Sequence, residues 1–345
     1  MAGPATSTIL PTRPLGRTEI PVSILGFGCA PLGDLYEVLD DDTALRAIAT
    51  AAEAGVTLFD AAPLYGHGLA EHRLGTVLKR LPRDSFVLST KVGRWLKPAP
   101  GGRDASSRYR GGLSFDLVLD YSYDGTMRAF EQSLNRLAVP SIDIALIHDV
   151  DVWTHGKDAI EQRFKEAMDG AYRALDELRS AGTIRAIGVG VNESAMCVRF
   201  ANAGDIDAVL LAGRYSLLEQ PALADFLPLA EKKRIGVMLG GVFNSGILAT
   251  GPVEGAKYNY RPAPPEILDR VKRIEAVCQS HKVPLPVAAM QFALGHPAVS
   301  SLVIGAVAPA EVTRNVAALT AQVPALLWFD LKRKGLLGAD VPVPG

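Results

Sequence analysis

The sequence is poor in cysteine, carries almost no net charge and contains no long apolar run. Its 3 cysteines lie far apart without CxxC or Cys/His spacing, so we expect idle thiols in a reducing compartment rather than a disulfide framework. A net charge of −1 gives no electrostatic basis for binding nucleic acid or an anionic membrane. No stretch approaches the ~18 consecutive apolar residues of a membrane span, and no apolar run follows basic residues at the start. We therefore expect a soluble cytoplasmic protein.

Short apolar runs alternate with longer amphipathic segments along the chain. Eight of the runs predict strands, at 22–26, 57–60, 86–91, 142–148, 184–190, 208–211, 236–239 and 301–304. Amphipathic segments such as 40–55 and 169–182 open on Asp and stop at Gly, as helices typically do. Eight strands that each precede a helix predict one (β/α)8 barrel domain over residues 1–345. The competing doubly wound fold normally shows GxGxxG after its first strand, and GFGCAPLG lacks that spacing.

Two segments are too long to be plain connections between strand and helix. They span residues 94–124, rich in Gly, Ser, Arg and aromatic residues, and residues 149–162. Loops of this length in a compact domain usually carry function. Both follow strands at the same end of the predicted barrel, so we expect them to wall a substrate site there.

Four polar residues stand at or just past the carboxyl ends of predicted strands. They are Asp60, Tyr65, Lys91 and His148. In a parallel α/β architecture, side chains at these positions converge on one pocket. A carboxylate, a phenol, an ammonium and an imidazole brought together predict a proton-transfer site.

Other titratable residues near these four receive no catalytic role. We expect His67 and Glu71 to face solvent or to cap a turn. His148, Asp149 and Asp151 crowd one strand end, and without a matching His elsewhere they make a poor zinc site. We expect no metal.

Several motifs together resemble the aldo-keto reductase superfamily over nearly the whole chain. They include LGFGCAPLG, GVTLFDAAPLYGHG, STKVG, GTIRAIGVGVNES and IGAVAPAEVTRN. The resemblance implies a (β/α)8 barrel that binds a nicotinamide dinucleotide without a Rossmann motif. It also implies a catalytic tetrad, whose Asp, Tyr, Lys and His correspond here to Asp60, Tyr65, Lys91 and His148. Further motifs, such as PLYGHG and FNSGILATG, are similar to the branch of D-threo-aldose 1-dehydrogenases and pyridoxal 4-dehydrogenase.

The tetrad chemistry explains why these residue types are needed. Hydride transfer at a C–H carbon must be matched by proton transfer at the attached oxygen, but a free phenol, with a pKa of about 10, is a poor base near neutral pH. We expect Lys91 to lower the pKa of Tyr65, and Asp60 to keep Lys91 charged and oriented. His148 would hydrogen-bond the substrate oxygen.

The resemblance also implies cofactor contacts. Asn192 corresponds to the position that hydrogen-bonds the nicotinamide carboxamide, while Ala212 stands where the family usually has Gln. A polar turn after the seventh strand would wrap the pyrophosphate with backbone N–H groups; it consists of Asn244, Ser245 and Gly246.

The motif IGAVAPAEVTRN bears on the choice between NAD and NADP. It supplies four candidate cofactor contacts, Gly305, Val307, Arg314 and Asn315. Val307 stands where the family usually has a basic side chain for the adenosine 2′-phosphate, and an aliphatic side chain cannot pair with a phosphate. NAD is therefore favoured over NADP, although Arg314 lies close by.

The predicted partner is a small molecule, and the sequence makes no prediction of an oligomeric state. Four side chains are candidates for substrate contact: Trp95, Tyr123, Trp153 and Arg214. The branch implies oxidation of the anomeric carbon of an aldose, such as L-fucose, L-galactose or D-arabinose, to its lactone. Oxidation of pyridoxal to 4-pyridoxolactone and a general carbonyl or secondary-alcohol oxidoreductase are alternatives. A non-catalytic cofactor-binding subunit ranks lowest because the tetrad is complete.

Overall fold

A closed barrel of parallel strands organises the protein, a computed structural model of which describes residues 10–103 and 106–344. The strands are β1 (Thr12–Pro14), β2 (Pro21–Ser23), β3 (Leu25–Gly28), β4 (Leu58–Asp60), β5 (Val87–Val92), β6 (Arg94–Pro98), β7 (Phe115–Leu119), β8 (Ile144–His148), β9 (Ala186–Val191), β10 (Ala208–Ala212), β11 (Gly236–Gly240), β12 (Lys257–Tyr258), β13 (Arg261–Pro262) and β14 (Val299–Gly305). Eight of them pair in chain order and close on themselves: β3, β4, β5, β8, β9, β10, β11 and β14. The predicted (β/α)8 barrel is confirmed.

Helices surround the barrel and follow its strands. They are α1 (Asp41–Glu53), α2 (Leu69–Leu78), α3 (Tyr123–Leu137), α4 (Val152–His155), α5 (Ile160–Glu166), α6 (Arg173–Ser180), α7 (Ser194–Ala203), α8 (Phe226–Lys233), α9 (Ile247–Thr250), α10 (Pro265–Ser280), α11 (Leu285–Leu294), α12 (Pro309–Thr320) and α13 (Ala325–Arg333). A π-helical segment, Ala167–Tyr172, joins α5 to α6, so this helix begins well before the predicted start at residue 169. In the described part of the chain, no helix has both the length and the apolar character needed to cross a membrane.

An N-terminal hairpin closes one end of the barrel. Strands β1 and β2 pair antiparallel, and Leu15, Ile20 and Val22 join the apolar cluster that fills the barrel interior. The predicted first strand, 22–26, therefore covers two elements, because a single residue, Ile24, separates the hairpin strand β2 from the barrel strand β3. A larger apolar core lies between the barrel and the surrounding helices.

The two-residue period of a strand explains how polar groups gather at the other end of the barrel. Along three neighbouring strands, β4, β5 and β8, the interior residues change from aliphatic to polar toward the carboxyl end. On β4, Leu58 is followed by Asp60. On β5, Val87 is followed by Ser89 and Lys91. On β8, Ile144 and Leu146 are followed by His148. The polar ends form the floor of a cavity, as parallel barrels generally arrange.

Both long segments fold back over this end. Residues 94–124 contain the antiparallel ribbon of β6 and β7, and the loop between its strands reaches Leu35, which forms a β-bridge with Tyr109. Residues 149–162 contain α4 and the start of α5. A third projection, the short hairpin of β12 and β13, lies between β11 and α10.

Candidate active site

A cavity of about 130 Å³ opens at the carboxyl ends of the barrel strands. Tyr65, Lys91 and His148 line it, and Asp60 binds Lys91 from the next strand. The remaining wall consists of Ala30, Leu35, Leu64, Arg108, Tyr109, Asp149, Trp153, Thr154, Gly190, Val191, Asn192, Leu210, Ala212 and Tyr260. The structure thus brings the four predicted residues together.

Lys91 and Asp60 form a buried ion pair. The Lys91 ammonium donates to Asp60 Oδ2 at 2.6 Å and to the Ala61 carbonyl at 2.8 Å, while the Ser89 hydroxyl donates to Asp60 Oδ1 at 2.9 Å. The two charged side chains are almost inaccessible to solvent. Burial raises the pKa of Asp60, and the Lys91 charge and the two hydrogen bonds oppose that rise. The pair therefore holds the ammonium in one place at the cavity floor.

Tyr65 lies beside this ammonium, with Lys91 Nζ 4.8 Å from the centre of the phenol ring. Its ring meets His148 edge-on, with 5.9 Å between ring centres. Burial, followed by the negative charges of Asp60 and Asp149, raises the pKa of Tyr65 well above 10. The net pKa of Tyr65 is therefore raised and not lowered as expected, because burial and the nearby carboxylates outweigh the effect of the Lys91 ammonium.

His148 is buried at the carboxyl end of β8. Burial, with the positive charges of Lys91 and Arg94, lowers the pKa of His148 well below 6.5, so the imidazole is neutral at pH 7. The Tyr121 hydroxyl donates to the His148 carbonyl at 2.7 Å and fixes the backbone there. The next residue, Asp149, has a left-handed backbone (φ 56°) and pairs with Arg94 at 2.9 Å.

The ends of β9 and β10 form a wall with small side chains that could hold a nicotinamide ring. Gly190 and Ala212 line it beside Asn192, and a Cβ on Gly190 would lie 3.3 Å from Lys91 Cε. Asp151 Oδ2 accepts the backbone N–H of Asn192 at 2.9 Å and its side-chain amide at 3.1 Å, and Arg214 Nε donates to the Asn192 carbonyl at 2.6 Å. The wall and the fixed amide fit a planar carboxamide ring.

The predicted pyrophosphate turn is used differently from the expectation. The Asn244 side chain accepts from Ser216 at 2.6 Å and donates to Glu219 at 2.9 Å, so it is buried in a structural network. The backbone N–H groups of Asn244 and Gly246 donate to carbonyls inside the turn. Ser245 accepts the Tyr260 N–H at 3.0 Å. Two of the three N–H groups assigned to a pyrophosphate are therefore already paired.

The second cofactor segment lies at the end of β14 and on α12. Gly305 is exposed, and the Val307 N–H donates to Glu311 Oε2 at 2.9 Å. Arg314 is exposed and 4.0 Å from Glu311, and the neighbouring Asn315 is half-buried. The described wall of the cavity does not include these residues, so their role in cofactor binding stays a prediction.

Of the four predicted substrate contacts, Trp153 lines the cavity and the other three do not belong to its described wall. The Trp95 indole N–H donates to Asp120 at 3.1 Å on the ribbon. The Tyr123 hydroxyl donates to Glu177 at 2.7 Å on the surface. Arg214 supports the backbone of Asn192, and a substrate contact by Trp95, Tyr123 or Arg214 stays a prediction.

The cavity also contains groups to which the sequence interpretation gave no role. Arg108 and Tyr109 come from the loop of the β6–β7 ribbon, Tyr260 from the turn of the β12–β13 hairpin, and Asp149 follows His148. Asp149 and Tyr260 have positive φ values of 56° and 62°. Non-glycine residues in that region concentrate at functional sites, but the backbone angle is not visible in a sequence.

His67 and Glu71 are buried rather than solvent-facing. Glu71 accepts from the Thr90 hydroxyl at 2.7 Å and pairs with Arg136 at 2.6 Å, which ties α2 to β5 and α3. His67 contacts the Phe115 carbonyl at 2.6 Å and anchors the ribbon beside the cavity. Both groups support the site.

Comparison with known proteins agrees with this geometry. A family model described as "Aldo/keto reductase family" matches residues 24–328. The chain is 42% identical to pyridoxal 4-dehydrogenase of Microbacterium luteolum, over 94% of this chain and 97% of that protein. It is 37% identical to D-threo-aldose 1-dehydrogenase of a Pseudomonas species, over 92% and 95%. A solved aldo-keto reductase from Bacillus halodurans superimposes with a TM-score of 0.73 at 26% identity, covering 96% of this chain and 98% of that one.

Proposed function

The chain belongs to the aldo/keto reductase family, and on that premise we propose that it oxidises a cyclic hemiacetal to a lactone. A bound nicotinamide dinucleotide would accept the hydride from the hemiacetal carbon, and Tyr65 would accept the hydroxyl proton. The observation that carries the proposal is the convergence of Tyr65, Lys91 and His148 on one cavity, with Asp60 bound to Lys91.

Each of these residues has a distinct role in the proposed reaction. The neutral His148 donates a hydrogen bond to the substrate oxygen and directs it toward Tyr65. Ionised Tyr65 accepts the hydroxyl proton, and the fixed Lys91 ammonium favours the phenolate electrostatically at that moment. Asp60 keeps Lys91 charged and oriented. When bound, the nicotinamide dinucleotide supplies the hydride acceptor; Asn192 would orient its ring on the wall formed by Gly190 and Ala212.

The substrate is proposed from two relatives that share this chemistry. An aldose such as L-fucose, L-galactose or D-arabinose is the substrate class expected from the sequence, and D-threo-aldose 1-dehydrogenase is similar over most of both chains. Pyridoxal, a hemiacetal on an aromatic ring, is the second candidate. It is favoured by the tyrosine and tryptophan side chains around the cavity and by the 42% identity to pyridoxal 4-dehydrogenase.

NAD is the proposed cofactor. Val307 carries no positive charge for a 2′-phosphate, and the carboxylate of Glu311 accepts its backbone N–H at 2.9 Å. A second negative charge there would be repelled by this carboxylate. Arg314 lies 4.0 Å from Glu311, but its side chain is exposed, so its charge offsets only part of this repulsion.

The test is NADH formation by the purified protein with L-fucose, L-galactose, D-arabinose and pyridoxal, each with NAD and with NADP. Turnover of a hemiacetal with lactone as product supports the proposal. The tetrad variant Tyr65→Phe, which should bind the cofactor, is the matched control. Absence of turnover with all four substrates, in protein that binds NAD, would contradict the proposed reaction.

A further inference from the structure

The charged groups around the cavity do not cancel. Lys91 is neutralised by Asp60 at 2.6 Å, and Asp149 is neutralised by Arg94 at 2.9 Å. His148 is uncharged at neutral pH because burial lowers its pKa. Arg108 is the remaining charged side chain in the described wall, and within residues 10–103 and 106–344 it pairs with no carboxylate. One positive charge is therefore left in excess at the cavity.

One aromatic ring, that of Tyr260, packs against this guanidinium. Arg108 Cζ lies 5.4 Å from the centre of the Tyr260 ring, within the range of a cation–π contact. Tyr260 comes from a different projection of the barrel, so two separate segments meet at this contact. On the inner side, the Tyr109 ring lies 6.3 Å from the Tyr65 ring at an angle of 38°. Tyr109 and Tyr260 thus give the cavity wall two aromatic side chains close to Tyr65 and Arg108.

We propose that Arg108 determines specificity by pairing with an ionised oxygen on a planar, aromatic hemiacetal substrate. The inference rests on the proposed function and narrows its substrate class. An uncompensated guanidinium attracts an anion through both charge and hydrogen bonds, whereas the hydroxyl groups of a neutral sugar offer no charge to pair with. The surrounding tyrosine rings favour a flat ring through stacking.

The test compares selectivity in three full-length proteins: wild type, Arg108→Gln and Arg110→Gln. The ratio of kcat/KM for pyridoxal, whose phenolic oxygen ionises, to kcat/KM for L-fucose is measured with NAD. Loss of a charge-assisted contact predicts that Arg108→Gln lowers this ratio about 10- to 100-fold, mainly through KM for pyridoxal. Arg108→Lys, which retains the charge, should restore part of it.

Arg110→Gln is the matched control, because Arg110 is exposed on the same loop and lies outside the cavity wall. It should leave the ratio within twofold of wild type. If Arg108→Gln and Arg110→Gln lowered the ratio of kcat/KM values equally, the effect would come from the overall charge of the protein, and the proposal would be overturned. An unchanged ratio in Arg108→Gln would overturn it as well.

Two further outcomes separate this inference from the proposed function. If the protein oxidises L-fucose but not pyridoxal, the proposed function stands and the inference fails. If none of the four hemiacetals is oxidised, the proposed function fails, and calorimetry with salicylate and the neutral salicyl alcohol decides the inference. A preference for salicylate of tenfold or more that disappears in Arg108→Gln supports anion recognition by Arg108; equal binding of the two probes refutes it.

Discussion

Tyr65 and His148 face one cavity, and burial shifts their pKa values in opposite directions. The pKa of the phenol rises well above 10 and that of the imidazole falls well below 6.5, so both side chains are uncharged at pH 7. A neutral phenol is ready to donate a proton, which suits carbonyl reduction, whereas oxidation requires the phenolate. The direction of the reaction should therefore depend strongly on pH.

For oxidation, we predict that kcat/KM increases as the pH rises from about 7 to 9. The reason is that the fraction of ionised Tyr65 grows as the pH approaches its raised pKa, while His148 remains neutral throughout. Steady-state rates over this range, with a substrate that does not titrate there, check the prediction. Tyr65→Phe should lower the rate by about 10²-fold or more and abolish the pH dependence. A rate that falls between pH 7 and 8 would contradict this account.

A second prediction concerns the buried ion pair. Lys91→Met leaves the Asp60 carboxylate buried without its counter-charge, which should lower the free energy of unfolding by about 3–5 kcal/mol at pH 7. The double variant Asp60→Asn, Lys91→Met removes both charges and should recover much of that loss. Urea unfolding of the three proteins gives the comparison. Equal stability of the single and double variants would show that the unpaired Asp60 charge is not what destabilises Lys91→Met.

At the scale of elements, apolar runs predicted the barrel strands well because each strand is buried on both faces. The exceptions have local causes. The run 22–26 is continuous in sequence, but the chain leaves the hairpin and enters the barrel within it. The helix predicted from residue 169 begins at Ile160, because a π-helical segment shifts the period between α5 and α6 and hides their continuity.

Helix α3 ends on an unusual residue, and this gives a prediction for the element. Ala138 occupies the C-terminal position with φ 50° and ψ 40°, a left-handed conformation that disfavours a side chain. Ala138→Gly should raise the free energy of unfolding by about 0.5–1 kcal/mol. The control is Ala54→Gly at the end of α1, where φ is −79° and glycine should be neutral or destabilising. Thermal or urea unfolding of both variants decides.

The site was predictable where it belongs to the barrel and unpredictable where it belongs to the projections. Asp60, Lys91 and His148 follow from strand ends, because the barrel fixes where such ends meet. Arg108 and Tyr260 meet only through long-range packing of two insertions, and no periodicity in the sequence reports that contact. The hydrogen bond from Ser216 to the Asn244 side chain was not predicted, because a polar residue in a turn can face either a ligand or another part of the protein.

For the molecule as a whole, the N-terminal hairpin is part of the core rather than an appendage. Leu15 is fully buried in the barrel interior. Leu15→Ala should therefore lower the free energy of unfolding by about 2–5 kcal/mol. The control is Leu326→Ala on α13, because Leu326 is 66% exposed and its truncation should change stability little. Comparable effects of the two substitutions in urea unfolding would show that the hairpin is not needed to seal the barrel.

The packing at the hairpin end of the barrel limits how a proton can leave the active site. Below Lys91 the interior is packed mainly with aliphatic side chains, and the buried Ser301 hydroxyl has no hydrogen-bond partner among the described residues, so these groups form no proton relay. We expect a proton taken up by Tyr65 to return to water through the cavity opening, where Arg108 and Tyr260 lie. While product fills that opening the exit is blocked, so the proton and the product should leave in order, product first.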